Sequence, residues 1–153
     1  MIEQLEKAHI VIVGGGRFCL ALLKSFFSDD FGPKKPNILG VADLDPGAVG
    51  LAYARDKGIS TTTDYKDLLK IESLDIIFEL TKNISLGEDI ILNKTPGVRF
   101  IDFFERRSIL QHLSINAKKT EMLESIRKVP KDSAKIEALF ELFYQSIIQL
   151  TKE

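Results

Sequence analysis

Reactive and metal-binding side chains are scarce in this sequence of 153 residues, which has one cysteine and two histidines. One cysteine excludes an internal disulfide and suits a reducing compartment. His9 and His112 lie far apart along the chain, so the ligands of a transition-metal site are missing and no metal site is predicted. The formal net charge of −1 provides no field for nucleic acid or for an anionic membrane.

Long apolar runs are lacking as well. No run approaches the roughly 20 residues of a membrane span, and the first seven residues are acidic and lack the apolar core of a signal peptide. These absences predict a cytoplasmic protein with no membrane partner. Hydrophobic residues (44%) and charged residues (28%) occur at the levels of a globular protein, and the length fits one domain with an appendage.

What the chain does contain is a glycine turn that directly follows an apolar, β-branched run. Residues 8–13 lead into Gly14, Gly15 and Gly16, and an amphipathic helical pattern follows. This strand–turn–helix pattern is typical of a segment that seats a dinucleotide pyrophosphate on a helix N-terminus. Gly14 permits the tight turn, and Gly16 lets the phosphates approach without a Cβ in the way. The third glycine of the G-x-G-x-x-G pattern is replaced by Cys19, which is small enough for the helix to pack close to the sheet.

Strand-like and helix-like patterns alternate through the first two thirds of the chain. Predicted strands cover 8–13, 37–42, 59–62, 74–80 and 98–103, and predicted helices cover about 15–28, 46–58, 63–69 and 84–93. Such alternation indicates a parallel sheet with right-handed crossovers. We predict an α/β fold for residues 1–104, a doubly wound, Rossmann-like sheet of five parallel strands in the order 3-2-1-4-5.

Residues 105–153 differ in character and are predicted to form a helical arm. Helical patterns cover 106–128 and 133–152, with a break around Pro130. The apolar stripe of the second helix consists of Ile136, Leu139, Phe140, Phe143, Ile147 and Leu150. Ile136, Phe143 and Leu150 recur every seven residues, a spacing that keeps one helix edge toward a partner. The arm is predicted to form a homodimer; the alternative is that it packs on the chain's own sheet.

Asp43 follows the second predicted strand, where a dinucleotide site needs a carboxylate for the ribose hydroxyls. It lies further beyond the glycines than the usual roughly 20 residues, and the loop at 29–36 accounts for the excess. The neighbouring Leu44 offers no charge to a 2′-phosphate, so NAD is favoured over NADP as the cofactor. The alternative is that Asp43 and Asp45 cap the second predicted helix, with Pro46 in its first turn.

Further candidates flank the first and fourth predicted strands. Glu79 interrupts an apolar strand near its carboxyl end, where ligands bind in open α/β sheets. Glu79 as a base and Lys82 beside it are the catalytic candidates; the alternative is that Glu79 bonds a neighbouring backbone group. Thr81 and Arg17 are assigned to the dinucleotide, although Arg17 could equally lie solvated. Cys19 either packs or is a reactive thiol whose pKa is lowered by the helix dipole.

Four motifs between residues 10 and 102 carry a resemblance. They are Ile10-Val11-Ile12-Val13-Gly14-Gly15-Gly16, Val41-Ala42-Asp43-Leu44-Asp45-Pro46, Asp64-Tyr65-Lys66-Asp67-Leu68-Leu69 and Leu74-Asp75-Ile76-Ile77. In this order they resemble the N-terminal domain of the glucose–fructose oxidoreductase and inositol dehydrogenase family, which has V-A-D-x-D-P, T-D-x-x-x-L-L and x-D-x-I runs. The resemblance implies a Rossmann fold that binds NAD or NADP.

The chain departs from that family where the family's catalytic residues lie. The family has a T-P-N-x-x-H turn after its fourth strand, and this chain has Leu80-Thr81-Lys82-Asn83. The family's E-K-P segment supplies an active-site lysine, and here the same place reads Asp102-Phe103-Phe104. The family's large substrate domain is not part of this sequence. The resemblance therefore supports dinucleotide binding and not the family's catalysis.

These observations predict a non-catalytic NAD(H)-binding module, a sensor or regulatory domain that reports through its helical arm to a downstream signalling module. This expectation rests on an architectural analogy with regulatory Rossmann segments of bacterial signalling proteins. One alternative is a small NAD-dependent oxidoreductase, of the glucose–fructose oxidoreductase-like or precorrin dehydrogenase-like type, completed by another subunit. The other is a domain that has kept the fold, lost the ligand and serves only for association.

Overall fold

A central sheet of five parallel strands organises the residues that this computed structural model describes, which are 2–128 and 133–152. The strands are β1 (His9–Val13), β2 (Asn37–Ala42), β3 (Thr61–Thr62), β4 (Ile76–Glu79) and β5 (Arg99–Ile101). The helices are α1 (Ile2–Leu5), α2 (Arg17–Phe27), α3 (Val49–Asp56), α4 (Lys66–Leu69), α5 (Ile84–Asn93), α6 (Phe103–Lys128) and α7 (Ser133–Lys152). A 3₁₀ turn, Asp29–Phe31, follows α2 within the predicted loop.

The strands lie in the order β3-β2-β1-β4-β5, so the predicted doubly wound α/β sheet is confirmed. β1 pairs with β2 on one side and with β4 on the other, and Val13 is in register with Ala42 and Glu79. The chain winds outward from β1 to β3 and then returns to β4, so the direction of winding reverses between β1 and β4. In open α/β sheets, ligands bind at such a reversal, outside the carboxyl ends of the strands.

Helices cover both faces of the sheet, which is why β1 is buried almost throughout. One apolar layer lies between the sheet and α2, α3 and the first half of α6, and it includes Ile10, Ile12, Leu22, Phe26, Phe78 and Ile109. The other layer lies on the opposite face, with Val11, Val13, Leu68, Ile77 and Ile90. Alternate residues of β1 enter opposite layers because successive side chains of a strand point to opposite faces.

The first half of α6 packs within the sheet's own core. Ile109 is 1% exposed and Leu113 is 6% exposed, and both belong to the same buried cluster as Phe26 of α2. α6 begins directly after β5, and the Asp102 carboxylate accepts the amides of Phe104 and Glu105 at 2.9 Å each. This start directs α6 back across the sheet face that α2 also covers.

α7 packs along α6, and the Gln111 side-chain amide donates to the Leu150 carbonyl oxygen at 3.0 Å. α7 therefore runs antiparallel to α6, and the two helices form a hairpin. Phe143, in the middle of the predicted stripe, is buried, whereas Phe140 and Leu142 are 49% and 64% exposed. The predicted break around Pro130 lies outside the described residues.

Candidate functional site

The carboxyl ends of β1, β2 and β4 border a cavity of about 410 Å³, within the size range of small-molecule sites. It is lined by Val13, Gly14, Gly16, Ala42, Asp43, Leu44, Thr63, Tyr65, Leu80, Thr81, Asn83 and Leu86. The cavity lies where the winding of the sheet reverses. The structure thus brings Gly14, Gly16, Asp43, Leu44 and Thr81 to one cavity; Gly15 and Arg17 are their chain neighbours and do not line it.

The three glycines of the turn have three different environments. Gly14 has a φ of +106°, which favours glycine, and its amide donates to the Ala42 carbonyl at 2.8 Å. A Cβ on Gly15 would lie 2.2 Å from Leu51 Cδ1, so its bare backbone lets α3 pack beneath the turn. Gly16 has a φ of −74°, is exposed, and would place a Cβ where no atom lies within 4 Å. Neither the backbone nor the packing of the described residues therefore requires glycine at position 16.

Gly50 supports the glycine turn from beneath, and it was not singled out from the sequence. Its amide donates to the Gly15 carbonyl at 2.6 Å, and a Cβ there would lie 2.8 Å from the Cys19 sulfur. Gly50 and Cys19 therefore let α3 and α2 approach closely beneath the glycine turn. No spacing motif includes Gly50, so only the packing of the two helices reveals it.

Cys19 is fully buried in this helix contact. Burial, and next the charge of Asp43, raise the pKa of the Cys19 thiol from 9.0 to about 12. The alternative of a reactive thiol with a lowered pKa is wrong, because desolvation of the thiolate outweighs the helix dipole.

Alkylation of Cys19 by iodoacetamide is expected to be at least about 1,000-fold slower in the folded protein than in urea. Each unit of pKa lowers the reactive thiolate fraction about tenfold, and burial excludes the reagent as well. The rates are measured by mass spectrometry at one mildly alkaline pH. Similar rates in the two states would contradict the buried environment.

The Asp43 carboxylate joins the glycine turn to the loop after β2. Its Oδ2 accepts the Gly15 amide at 2.6 Å, and its Oδ1 accepts the Asp45 amide at 2.8 Å. A carboxylate has about four acceptor positions, so each oxygen can still accept one hydroxyl. Asp43 is therefore positioned by two backbone donors and retains the capacity to bind a diol.

Neither Asp43 nor Asp45 caps α3, so the alternative reading of these two residues is wrong. The Asp45 Oδ1 accepts the amide of Gly47 at 2.9 Å, and α3 begins at Val49 after Ala48, which makes no side-chain cap. The predicted start of this helix at position 46 is three residues early. Side-chain hydrogen bonds to nearby amides stabilise turns in competition with the helix.

The side of the cavity beyond Asp43 is apolar. Leu44 is 88% exposed, and the half-buried Leu86 and Tyr65 line the cavity with it. The Tyr65 hydroxyl donates to Asp89 of α5, and this hydrogen bond, more than burial, raises the pKa of Tyr65 to about 12. The tyrosine is thus an anchored, neutral part of the cavity wall.

Glu79 and Thr81 are bonded to each other at the end of β4. Glu79 is 4% exposed, and its Oε1 accepts both the Thr81 amide, at 2.5 Å, and the Thr81 hydroxyl. Glu79 therefore accepts a hydrogen bond from a neighbouring backbone group, which is the alternative to a role as a catalytic base. Glu79 and Lys82 border a second cavity and not the first. Lys82 has a φ of +64°, which turns the chain from β4 toward α5.

Arg106 of α6 connects the end of β4 to α2, and it was not singled out from the sequence. It is 8% exposed, its Nη1 donates to the Leu80 carbonyl at 3.1 Å, and its guanidinium carbon lies 4.1 Å from the centre of the Phe18 ring. Burial lowers the pKa of Arg106, and the charge of Glu79 opposes that shift. An arginine at the start of a polar helical stretch normally predicts a solvated side chain, so no sequence signal identified it.

The two histidines lie away from the cavity. His9 pairs with Asp75 at the opposite end of the strands, with the ring nitrogen 3.1 Å from the carboxylate, and the His112 ring nitrogen lies 2.8 Å from the Ser108 carbonyl oxygen. Over residues 2–128 and 133–152, no group of three or more His, Cys, Asp or Glu side chains is placed to hold a metal ion. Within the same residues, no helix combines the length and the hydropathy needed to cross a membrane.

Comparison with known proteins gives similarity in structure only. The sequence matches no model of a known protein family, and it has no significant match among curated proteins. Among solved structures, myo-inositol 2-dehydrogenase from Lactobacillus plantarum superposes with a TM-score of 0.51 at 18% identity. The match covers 74% of this chain and 34% of the dehydrogenase, so this chain spans about a third of that protein. At this identity the similarity shows the fold alone.

Two further solved structures have looser similarity. An NAD-binding protein from Listeria innocua has 20% identity and a TM-score of 0.44, with 73% of this chain and 33% of that chain covered. An apo scyllo-inositol dehydrogenase from Lactobacillus casei has 16% identity and a TM-score of 0.42, with 71% and 33% covered. Superpositions this loose add nothing to the assignment of the fold.

Proposed function

We propose that this protein binds NAD(H) in the cavity at the ends of β1, β2 and β4, and that it is a non-catalytic sensor or regulatory module. The observation that carries the proposal is the pairing of Gly16 with Asp43. A glycine that nothing in the described structure requires faces the cavity at the start of α2, and a carboxylate with spare acceptor positions lies at the end of β2. This pairing suits a pyrophosphate joined to a ribose.

The binding mode follows from the chemistry of the three parts of the cavity. The first amides of α2 have no partner within the helix, and with the helix dipole they favour a pyrophosphate beside Gly16 and Arg17. Asp43 accepts the adenosine ribose hydroxyls. Leu44 and Tyr65 then enclose the adenine base. NAD(H) supplies hydride chemistry when bound, and the residues named here only bind and orient it.

NAD is proposed over NADP because of the charges around Asp43. Among the described residues that line the cavity, none is lysine or arginine. A 2′-phosphate would also lie against the Asp43 carboxylate, whose charge repels it. NADH is therefore expected to bind at least about tenfold more tightly than NADPH in isothermal titration calorimetry. Absence of any NADH binding would overturn the proposed function and favour a domain that serves only for association.

Asp43→Asn is expected to weaken NADH binding by about tenfold or more and to lower the free energy of unfolding by about 1–3 kcal/mol. The asparagine NH₂ would face one of the two backbone amides that the carboxylate now accepts, leaving that donor unpaired. Calorimetry with NADH and urea unfolding measure the two effects. Asp45→Asn is the control, because Asp45 accepts its backbone bond through one oxygen, which asparagine keeps. Equal loss of affinity in both variants would contradict the role of Asp43.

A sensor needs a connection between its ligand and its output element, and α6 provides one here. Arg106 bonds the Leu80 carbonyl, and Leu80 lines the cavity. The same guanidinium lies over Phe18, in the first turn of α2. We propose that the helices carry this signal onward to a downstream signalling module.

Because the module is proposed to be non-catalytic, no turnover is expected with NAD and a panel of sugars and polyols. Hydride transfer that is lost in Lys82→Ala would overturn the proposal that the module is non-catalytic.

The proposed module forms a homodimer through the α6–α7 hairpin. Phe140 belongs to the predicted stripe and remains 49% exposed, and Tyr144, one turn further on, is 60% exposed. A two-helix hairpin cannot enclose a wide apolar stripe alone, whereas two hairpins form a four-helix bundle that does.

Phe140→Asp is expected to shift the dimer dissociation constant upward by about tenfold or more, because the charge would enter a dry interface. Analytical ultracentrifugation over a concentration series measures it. Leu142→Asp is the matched control, since Leu142 is equally apolar and 64% exposed but lies on a different side of α7. A monomeric wild type at high concentration would contradict the dimer.

A further inference from the structure

The hydrogen-bonding groups around the first cavity are unevenly available to a ligand. Those on the side of β1 and β2 keep spare capacity, whereas those on the side of β4 bond one another. Building on the NAD(H) site proposed above, we propose that the cavity recognises only the adenosine diphosphate part of its ligand. The ligand class is then ADP-containing nucleotides, with or without nicotinamide and in either redox state.

The backbone amides on the β4 side already have acceptors within the protein. The residues that line the cavity from this side are Leu80, Thr81, Asn83 and Leu86. The Leu80 amide donates to the Val13 carbonyl at 2.8 Å, and the Thr81 amide donates to Glu79 Oε1 at 2.5 Å. The Asn83 amide donates to the Thr81 hydroxyl oxygen, and the Leu86 amide to Asn83 Oδ1, at 3.1 Å each. All the amides of these lining residues are therefore committed.

The side chains of the β4 side are committed in the same way. The Thr81 hydroxyl has one proton, which it donates to the buried Glu79. The Oδ1 of Asn83 caps α5. A nicotinamide carboxamide placed here would find the Asn83 NH₂ as a donor and would otherwise compete for donors that are already bonded. Breaking such bonds offsets the ones that the carboxamide would form.

The β1 and β2 side provides what a diol and a pyrophosphate need. Each oxygen of Asp43 accepts one backbone amide and can accept a further hydroxyl. α2 begins after Gly16 without a side-chain cap, so its first amides remain for an anion. α5 differs, because its own N-cap, Asn83, accepts the Leu86 amide. The capacity to bind a ligand therefore lies with the ribose and the pyrophosphate.

The charges at the end of β4 do not favour one redox state of nicotinamide. The oxidised ring carries a positive charge that the reduced ring lacks, so a net charge beside it would separate the two forms. Glu79 and Arg106 are both buried, and the charge of the one stabilises the charge of the other, so their fields largely cancel at a distance. Lys82 is exposed, where water and salt screen its charge.

The test is a series of ligands titrated into the full chain by isothermal titration calorimetry. ADP-ribose keeps both riboses and the pyrophosphate and lacks only the nicotinamide. Its dissociation constant, and that of NAD⁺, are expected to lie within about fivefold of that of NADH. Nicotinamide mononucleotide, which lacks the adenosine part, is expected to bind at least about 100-fold more weakly than NADH.

Fluorescence of NADH gives a second measurement that needs no variant. The emission maximum of bound NADH is expected to match that of free NADH, because the reduced ring remains in water. A shift of the emission to shorter wavelength would show that the protein encloses the ring, and it would overturn the proposal.

Matched variants on the two sides of the cavity locate the recognition. Asp43→Asn is expected to weaken NADH and ADP-ribose by the same factor, at least about tenfold. Thr81→Val replaces the hydroxyl by a methyl group of similar size, and it is expected to change both affinities by one common factor. The ratio of the two affinities compares two ligands on the same folded protein, so a loss of stability does not alter it.

Several results would overturn the proposal and leave the NAD(H) site itself in place. They are ADP-ribose or NAD⁺ binding more than about fivefold more weakly than NADH, nicotinamide mononucleotide binding less than about 100-fold more weakly, and a selective loss of NADH affinity in Thr81→Val. Absence of NADH binding would instead overturn the proposed function, and the recognition of ADP with it.

Discussion

Gly16→Val is expected to weaken NADH binding by about 100-fold or more while the protein remains folded. Valine would place its side chain in the cavity at the start of α2 and push the pyrophosphate away from the helix amides. Hydrogen bonds to a charged acceptor contribute about 1.5–3 kcal/mol each, and each 1.4 kcal/mol is about tenfold in affinity. The folded state has room for the side chain, because a Cβ there meets no atom within 4 Å and φ is −74°. Calorimetry with NADH measures the effect.

The neighbouring glycine provides the control for this experiment. Gly15→Val would place a Cβ 2.2 Å from Leu51 Cδ1 and 3.1 Å from Asp43 Cβ, and Leu51 is fully buried. Overpacking of this kind costs about 1–3 kcal/mol, whereas valine as the N-cap in Gly16→Val costs about 1 kcal/mol at most. Unfolding experiments should therefore rank Gly15→Val as the less stable variant. Wild-type NADH affinity in Gly16→Val would show that the pyrophosphate lies elsewhere.

Arg106→Met is expected to lower the free energy of unfolding by about 2–4 kcal/mol. Methionine replaces the apolar stem of the arginine but leaves the Leu80 carbonyl without its donor and the buried Glu79 without its neighbouring cation. It also removes the contact of the guanidinium with Phe18, which is worth about 0.5–2 kcal/mol. Urea unfolding of both proteins measures the difference.

Arg107→Met is the matched control, since Arg107 is the next residue of α6 and is exposed. Its stability should remain within about 0.5 kcal/mol of the wild type.

Hydrogen exchange then tests the proposed connection between the cavity and the helices α6 and α7. NADH is expected to slow the hydrogen exchange of amides in α6 and α7 of the wild type and of Arg107→Met. In Arg106→Met, provided that this variant still binds NADH, the exchange rates of these amides are expected to remain unchanged. Equal protection in all three proteins would contradict a signal carried by Arg106.

Local sequence signals determined the architecture of the sheet. The apolar run before Gly14 predicts a buried strand, and the alternation of strand and helix patterns predicts parallel strands with right-handed crossovers. These rules leave few strand orders, and the predicted order is the observed one. The same rules predicted that Asp43, which follows β2, lies near the glycine turn, which follows β1. The carboxyl ends of parallel strands meet at one edge of the sheet.

The role of each glycine in the turn was decided by tertiary structure. The sequence shows three identical residues. In the structure, Leu51 of α3 occupies the space beside Gly15, whereas Gly16 faces the cavity. The residue pattern also did not determine where α3 begins. Asp45 accepts the Gly47 amide in a turn, at the place where the start of the helix was predicted. Neighbours distant in sequence determine which of several locally permitted conformations is adopted.

The helical arm shows most clearly which features follow from the sequence pattern and which depend on tertiary contacts. Helical periodicity predicted two helices after residue 105, because periodicity is a property of neighbouring turns. It did not predict that Ile109 and Leu113 would be buried against Phe26, or that Arg106 would bond the Leu80 carbonyl. These contacts join residues that are far apart in the chain, and their energy depends on surfaces that exist only once the sheet and α2 have formed. A sequence pattern specifies which face of a helix is apolar, and the assembled sheet specifies what that face meets.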